Sequence, residues 1–382
     1  MSFLRKAHTC LALPLGLYLA FVAVLIAEPA QRSLIYLHKV PLPWRCHFDN
    51  PELHGFSPGK VMPLKLTTVD GARLGAWHVL PTDVYDKAVE QYGVPDEGPL
   101  PAQLFDEALR SPAHPTVVYM HGNAGTRCQG NRLRVGRHMS DMGLNFLVID
   151  YRGFADSSST PPPSEEGLLI DARRAFDYVH VDKNVPASQI IISGQSLGTG
   201  VSAGLAARLA DEGITPRAVF LVAPFSSIAS LLETYRLGNI IPILSPFRPF
   251  PWLLNALLGF LRTRFDTKNV IEKIASPLLI LHAQDDPVIP FSHSRALSEH
   301  LLGPLLSSHP ASAQQEVEEI RKHLVKETKV GGWGTVSKYD RGEGKGAVVW
   351  AEARKGGHTE VATSDYALKL MKDLIFKQKV SA

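Results

Sequence analysis

Only three cysteines, Cys10, Cys46 and Cys128, occur in 382 residues. Their number and spacing fit neither the framework of a small disulfide-stapled domain nor a zinc site. No Asn-x-Ser/Thr sequon is present, so that mark of a lumenal protein is missing. A helical H-E-x-x-H pair, a P-loop and a dinucleotide glycine fingerprint are also lacking, which leaves metal and nucleotide chemistry without a carrier. No cofactor and no metal ligand set is therefore expected. Nor does charge of one sign dominate: 40 basic residues against 37 acidic ones give a net charge of +3, too even a balance to gather nucleic acid. Internal repeats are absent, and long apolar runs are scarce.

The one long apolar run is Cys10 to Ala27, CLALPLGLYLAFVAVLIA, which follows Arg5 and Lys6 and carries no charge. At about 1.5 Å per residue it can cross a bilayer core with a slightly thin fit. A cleaved signal peptide and a buried helix are the rival readings. The run exceeds the usual signal core of about 7–15 residues and Ala27-Glu28-Pro29-Ala30 is a poor cleavage site, so an anchor over residues 1–30 is favoured. Arg32, Lys39 and Arg45 on the far side nearly balance Arg5 and Lys6, so orientation is not set by charge.

Beyond a linker at 31–60, a single domain over 61–382 is expected, since 45% hydrophobic content can fill one large core. Val61 to Thr68 and Ala72 to Leu80 read as an antiparallel pair around Asp70-Gly71. Thr116–Met120, Asn145–Asp150, Gln189–Ser193, Ala218–Val222 and Pro277–Leu281 are short continuous apolar runs, the pattern of parallel strands covered on both faces. Helical spacing over 130–142, 165–180 and 197–212 alternates with them and predicts an α/β domain with a mostly parallel central sheet and helices on both faces. Residues 82–115 and 303–345 read as polar surface insertions. The insertion at about 228–270 is richer in Leu, Ile, Phe and Trp than a solvated loop should be, which suggests an apolar cap or simply a completed core.

Chemistry concentrates at the ends of these strands, where an open parallel sheet collects its ligands. Gln189–Ser193 runs into Gly194-Gln195-Ser196-Leu197-Gly198 and then an alanine-rich helix. That order is the setting of a nucleophile elbow, whose sharp turn needs small neighbours around an exposed serine. A serine hydroxyl needs a base to take its proton and a carboxylate to orient the base. In this arrangement the chain order is serine, acid, histidine. Asp285 and Asp286 follow the strand ending at Leu281, and Asp286 is preferred because it stands two residues before Val288. His358, between Gly356-Gly357 and the last helix, is preferred over His293, His300, His309 and His323. Two amides must meet the oxyanion, and the Leu197 and Asn123 N–H groups are the candidates, the second from His121-Gly122-Asn123 after the first central strand. His121, Trp252 and Leu253 are candidate substrate contacts. Asp150-Tyr151-Arg152 reads as a structural acid–base corner, His282 as a hydrogen-bonded core residue, and Gln195 as packing beside the elbow.

Tyr119-Met-His-Gly-Asn-Ala-Gly-Thr-Arg127, Ile149-Asp-Tyr-Arg-Gly-Phe154, Gly194-Gln-Ser-Leu-Gly-Thr-Gly-Val201 and Leu278-Leu-Ile-Leu-His-Ala-Gln-Asp-Asp-Pro-Val-Ile-Pro-Phe291 together resemble the monoacylglycerol and lysophosphatidylserine lipases of the abhydrolase-domain twelve group. The resemblance spans roughly residues 60–300 plus the anchor. It implies an α/β-hydrolase fold, a Ser196–Asp286–His358 triad, and a membrane lipase anchored once with its catalytic domain in the endoplasmic reticulum lumen or outside the cell. The family's elbow carries histidine where Gln195 stands, and the step from Asp286 to His358 is longer here. An acyl-ester hydrolase acting on lipid is thus expected, with the bilayer as its partner surface. An acyl-protein thioesterase would use the same triad, and an inactive membrane scaffold is the reading from another class.

Overall fold

A computed structural model describes residues 2–40, 42–237, 240–309, 314–342 and 344–377, with side chains from residue 12 onward apart from 237. Runs of buried aliphatic residues form the central strands among the twelve described. The twelve are β1 (Val61–Thr67), β2 (Arg73–Val79), β3 (Thr116–Met120), β4 (Asn145–Ile149), β5 (Ile190–Gln195), β6 (Ala218–Val222), β7 (Arg236–Leu237), β8 (Ile241–Pro242), β9 (Leu278–Ala283), β10 (Lys326–Val330), β11 (Gly334–Tyr339) and β12 (Val348–Ala353). Ten of them make one sheet in the order β1-β2-β4-β3-β5-β6-β9-β12-β11-β10. The six from β4 to β12 are parallel, and the flanking pairs are antiparallel. Because side chains alternate along a strand, Val118 and Met120 enter one half of the core while Val117 and Tyr119 enter the other.

Helices cover both faces, in chain order α1 (Ser2–Val24), α2 (Glu28–Tyr36), α3 (Thr82–Tyr92), α4 (Ala102–Arg110), α5 (Gly130–Asp141), α6 (Glu165–Asp177), α7 (Leu197–Asp211), α8 (Ile228–Thr234), α9 (Pro251–Gly259), α10 (Thr267–Val270), α11 (Ser292–Ser307), α12 (Gln314–Leu324) and α13 (Asp365–Phe376). Leu168 and Phe176 of α6 and Val201 and Leu205 of α7 pack on one face. Leu133 and Met139 of α5 and Leu370 and Met371 of α13 pack on the other. The mostly parallel sheet with helices on both faces is the one the alternating pattern predicts, and its arrangement is the α/β-hydrolase fold that the resemblance implies. The chain leaves β3 toward β4 and returns through β5 on β3's other side, so the loops after β3 and β5 open a crevice at the strands' carboxyl ends.

Several local expectations change. Residues 82–115 are not plain surface: α3 and α4 bury Tyr85, Ala88, Phe105 and Ala108 in a small core of their own. The segment 303–345 contains α12 and the hairpin β10–β11, which extends the sheet past β12. Their sequence hides this because β10 lies at the sheet edge with its side chains largely exposed, so no apolar run marks it. Residues 238, 239, 310–313 and 343 of the two insertions lie outside the described residues. Cys46 and Cys128, whose number and spacing gave no sign of a disulfide framework, form a disulfide with their Cα atoms 6.0 Å apart. Asp150 and Arg152 are not partners. Asp150 binds Arg127 at 2.5 Å, while Arg152 binds Asp70 and Asp171.

At the N-terminus α1 and α2 meet at an elbow. Among the described residues no single helix is long and apolar enough to cross a membrane, whereas Ala12–Val24 and Glu28–Tyr36, bent by 97°, meet the test of length and composition together. The C-terminal half of α1 lies on the cap: Tyr18 donates to the Ile243 carbonyl at 2.7 Å, and Val22 is buried with Ile243, Leu244, Phe247 and Leu254.

Candidate active site

The β5–α7 junction turns so tightly that Ser196 takes φ 53° and ψ −123°, a positive φ that side-chain-bearing residues seldom adopt. Small neighbours make the turn possible. A Cβ on Gly194 would run into the Gly198 carbonyl, and one on Gly198 into the Met120 carbonyl. Ser196 N–H donates to the Val222 carbonyl at 3.0 Å, so the strained residue is pinned to the sheet, and it helps to line a pocket.

Asp286 stands in the loop after β9 with its side chain buried. Its Oδ1 accepts the Val288 and Ile289 amides at 2.7 and 3.0 Å. Its Oδ2 accepts His358 Nδ1 at 2.7 Å and His282 Nε2 at 3.1 Å. Burial pushes this carboxyl up, but bonds from His282, His358 and the Ile289 amide outweigh it and hold the group well below the usual carboxylate range. Since Nδ1 of His358 faces a carboxylate, the proton belongs there, and Nε2 is left with a lone pair to act as a base. Asp285 plays a different part. Its Oδ1 accepts the Gly357 amide at 2.8 Å and pins the loop that presents His358. Among the described residues His358 and Ser196 Oγ make no hydrogen bond to each other; such bonds commonly tighten only when substrate is bound.

The rival histidines lie elsewhere. His293 is buried against Ser226 and Thr234, and burial lowers its pKa to about 4. His300 pairs with Glu272, His309 bonds back to its own helix end, and His323 is exposed on α12.

The loop after β3 is built around Arg132 of α5. Its Nη2 donates to the carbonyls of Gly122, Asn123 and Ala124 at 3.2, 3.4 and 2.7 Å. In a trans peptide the N–H points opposite to the C=O, so drawing the Gly122 carbonyl toward Arg132 turns the Asn123 amide away from it. Asn123 and Leu197 both line the Ser196 pocket. Leu197 opens α7, where the first amides of a helix have no partner within it, and the Asn123 amide has no acceptor among the described residues. Two donors are thus free on the serine side of the crevice.

Arg132 is buried with no carboxylate in ion-pair distance among the described residues, and burial lowers its pKa. Sequence reasoning passed over it. The available signal was a charge at position 132 on the stripe 132, 135, 136, 139 that α5 buries. Gln195 was also underestimated: it accepts from Tyr119 Oη at 2.9 Å and donates to the His358 carbonyl at 3.0 Å, tying the elbow to the histidine loop.

The candidate substrate contacts fall outside the pocket. His121 is fully buried beneath the loop, its ring 4.4 Å from Tyr151 and its Nδ1 bonded to the Gly122 carbonyl at 2.6 Å. Trp252 is 72% exposed at the start of α9, and Leu253 packs against the cap cluster. Helical spacing explains the miss, since the inward face of α9 carries Leu254, Leu257 and Leu258 and turns position 252 outward. The pocket wall is instead made by Leu34 and Ile35 of α2, Phe225, Ile228, Leu231, Leu232, Tyr235 and Ile243.

No family model matches the chain. Lysophosphatidylserine lipase ABHD12 of Danio rerio is 30% identical over 284 residues, covering 74% of this chain and 69% of the relative. The chain belongs to the ABHD12 family. The Rattus norvegicus ABHD12 is 32% identical over 295 residues, 77% of this chain and 69% of its own length, and Homo sapiens protein ABHD12B is 30% identical over 291 residues, 74% of each. Among solved structures, an α/β-hydrolase from Vibrio vulnificus matches with a TM-score of 0.53 at 18% identity, covering 89% of this chain and 88% of that one. A Pyrococcus furiosus esterase matches at 0.51 and 13%, covering 88% and 98%. At such identities these two speak for the fold alone. With its ABHD12 relatives, this chain is a carboxylic ester hydrolase.

Proposed function

We propose that the protein hydrolyses acyl esters of monoacyl lipids, monoacylglycerols or lysophospholipids, with Ser196 as nucleophile, His358 as base and Asp286 as its orienting acid. Ser196 Oγ attacks the ester carbonyl while His358 Nε2 takes its proton, and the oxyanion settles between the Leu197 and Asn123 amides. The tetrahedral intermediate expels the alcohol, which receives the proton from His358 and leaves an acyl-enzyme. Water attacks that ester by the same relay and frees the fatty acid.

The observation that carries this reading is the 2.7 Å bond from His358 Nδ1 to the buried Asp286 carboxylate, beside a pocket in which Ser196 is surrounded by leucine, isoleucine and phenylalanine. The lysophosphatidylserine lipase names of the relatives support the lipid class. In the same reading the N-terminal segment, whose Ala12–Val24 and Glu28–Tyr36 helices have the length and composition of a span only together, anchors the protein in a membrane. The Cys46–Cys128 disulfide favours an oxidising compartment, in keeping with a hydrolase domain in the endoplasmic reticulum lumen.

Lipid profiling of membranes expressing the wild type or Ser196→Ala tests the proposal. Monoacyl lipids should accumulate with the variant. Unchanged monoacyl lipids alongside a rise in protein S-acylation would favour a thioesterase instead.

A further inference from the structure

Behind the Ser196 pocket lies a second hollow, under the α1–α2 elbow, walled by Val22, Leu25 and Ile26 on one side and Leu257, Leu258 and Leu261 on the other. Leu34, Ile35, Leu232 and Ile243 line both spaces, so the two share a boundary of four aliphatic side chains. Counting their open mouths they enclose about 660 Å³ beside the serine and about 480 Å³ beyond.

The far hollow offers hydrocarbon alone. Its one polar side chain, Gln31, is engaged: Nε2 donates to the Phe260 and Ile26 carbonyls, and Oε1 accepts the Arg262 amide at 3.0 Å. Both amide donors of that side chain are spent, and its oxygen already accepts one bond. The wall is also firmly attached to the catalytic loop. Ala124, Gly125 and Thr126 donate their amides to the carbonyls of Tyr36, Val40 and Leu42, and Asn123 Nδ2 reaches the Ile35 carbonyl. Outside the elbow, Leu13 and Leu17 of α1 and Phe250 and Trp252 of the cap are exposed, an apolar rim suited to a bilayer.

We propose that the hollow under the elbow is the distal acyl site, so the N-terminal segment is a wall of the substrate tunnel as well as an anchor. The ester lies at Ser196, the chain passes the collar of Leu34, Ile35, Leu232 and Ile243, and its methyl end rests against Val22, Leu25 and Leu258. This rests on the lipid-ester reading of the Ser196 pocket.

A palmitoyl-length fluorophosphonate with a photoreactive diazirine at its chain end tests it on the full-length wild type in detergent. Ser196 should be phosphonylated, and irradiation should crosslink peptides from residues 22–35 and 254–261. Crosslinks confined to other elements, with Ser196 labelled, overturn the distal site. Failure to label Ser196 overturns the catalytic reading instead. In parallel, Leu258→Trp and Ile26→Trp, which fill the hollow from opposite walls, should each lower the ratio of kcat/KM for palmitoyl esters to that for butyryl esters by about tenfold or more. An unaltered ratio of long-chain to short-chain turnover in both variants contradicts the proposal.

Discussion

Around Ser196 the protein holds its groups by directed polar bonds: four on Asp286, three from Arg132 to successive carbonyls, three on the Gln195 amide. Beneath the α1–α2 elbow, facing the same crevice, apolar contact does most of the holding, among Val22, Ile243, Leu244, Phe247 and Leu254. Directed bonds fix an atom's position closely, which proton transfer requires. Apolar contact fixes volume but tolerates sliding, which suits a hydrocarbon chain of variable length. Substitutions in the first region should therefore change turnover, and those in the second should change which chain is accepted.

The sharpest way to break that contrast is His358→Ala, which should lower kcat/KM for a short ester by roughly a million-fold, while His293→Ala stays within a few-fold. Comparable losses would mean the base is misassigned. Next, Asp286→Asn should cost about ten-thousand-fold in kcat, since the amide no longer accepts from both histidines and favours the wrong tautomer of His358. Asp285→Asn, which keeps an oxygen for the Gly357 amide, should cost far less. Cys46→Ser should lower folding stability by about 4 kcal/mol in urea titrations, because the bridge closes a loop of 82 residues. Short-ester kcat measured below the unfolding transition should hardly move.

Arg132→Met releases the three carbonyls that orient the loop. It should lower kcat by about a hundredfold with little change in KM for a short ester, a split that lost binding alone would not give. The smallest effect concerns pH. Burial lowers His78 and His293 to about 4, against 6.5 in an unfolded chain. Between those values the unfolded state binds more protons, so stability is intact above pH 6.5 and falls as pH drops toward 4. His293→Gln should flatten that slope in thermal melts at stepped pH.

What the sequence made legible follows the same division. Ser196, Asp286 and His358 could be put forward as candidates because each lies in a short motif after a strand, where local composition carries the signal. The five central strands were visible because a strand buried on both faces reads as an unbroken apolar run. Bonds between distant segments left no such trace. Gln195 reaching the His358 carbonyl and the Ile35 carbonyl meeting Asn123 are set by strand order rather than by neighbouring residues. The partnership of Asp150 with Arg127 instead of Arg152 arises the same way, since β3 and β4 pair in parallel and set Arg127's loop, which follows β3, beside the end of β4. The N-terminal segment is favoured as an anchor over a buried helix in the sequence because its apolar composition serves bilayer and pocket alike.

The central claim, that Ser196 is the nucleophile of a lipid ester hydrolase, is tested most directly by one measurement. Purified wild type and Ser196→Ala would be treated with a fluorophosphonate probe, the modified peptide mapped, and monoacylglycerol hydrolysis assayed in the same samples. The account predicts labelling at Ser196 and hydrolysis in the wild type, with both lost in the variant. A variant that still labels or still releases fatty acid at the wild-type rate would contradict it.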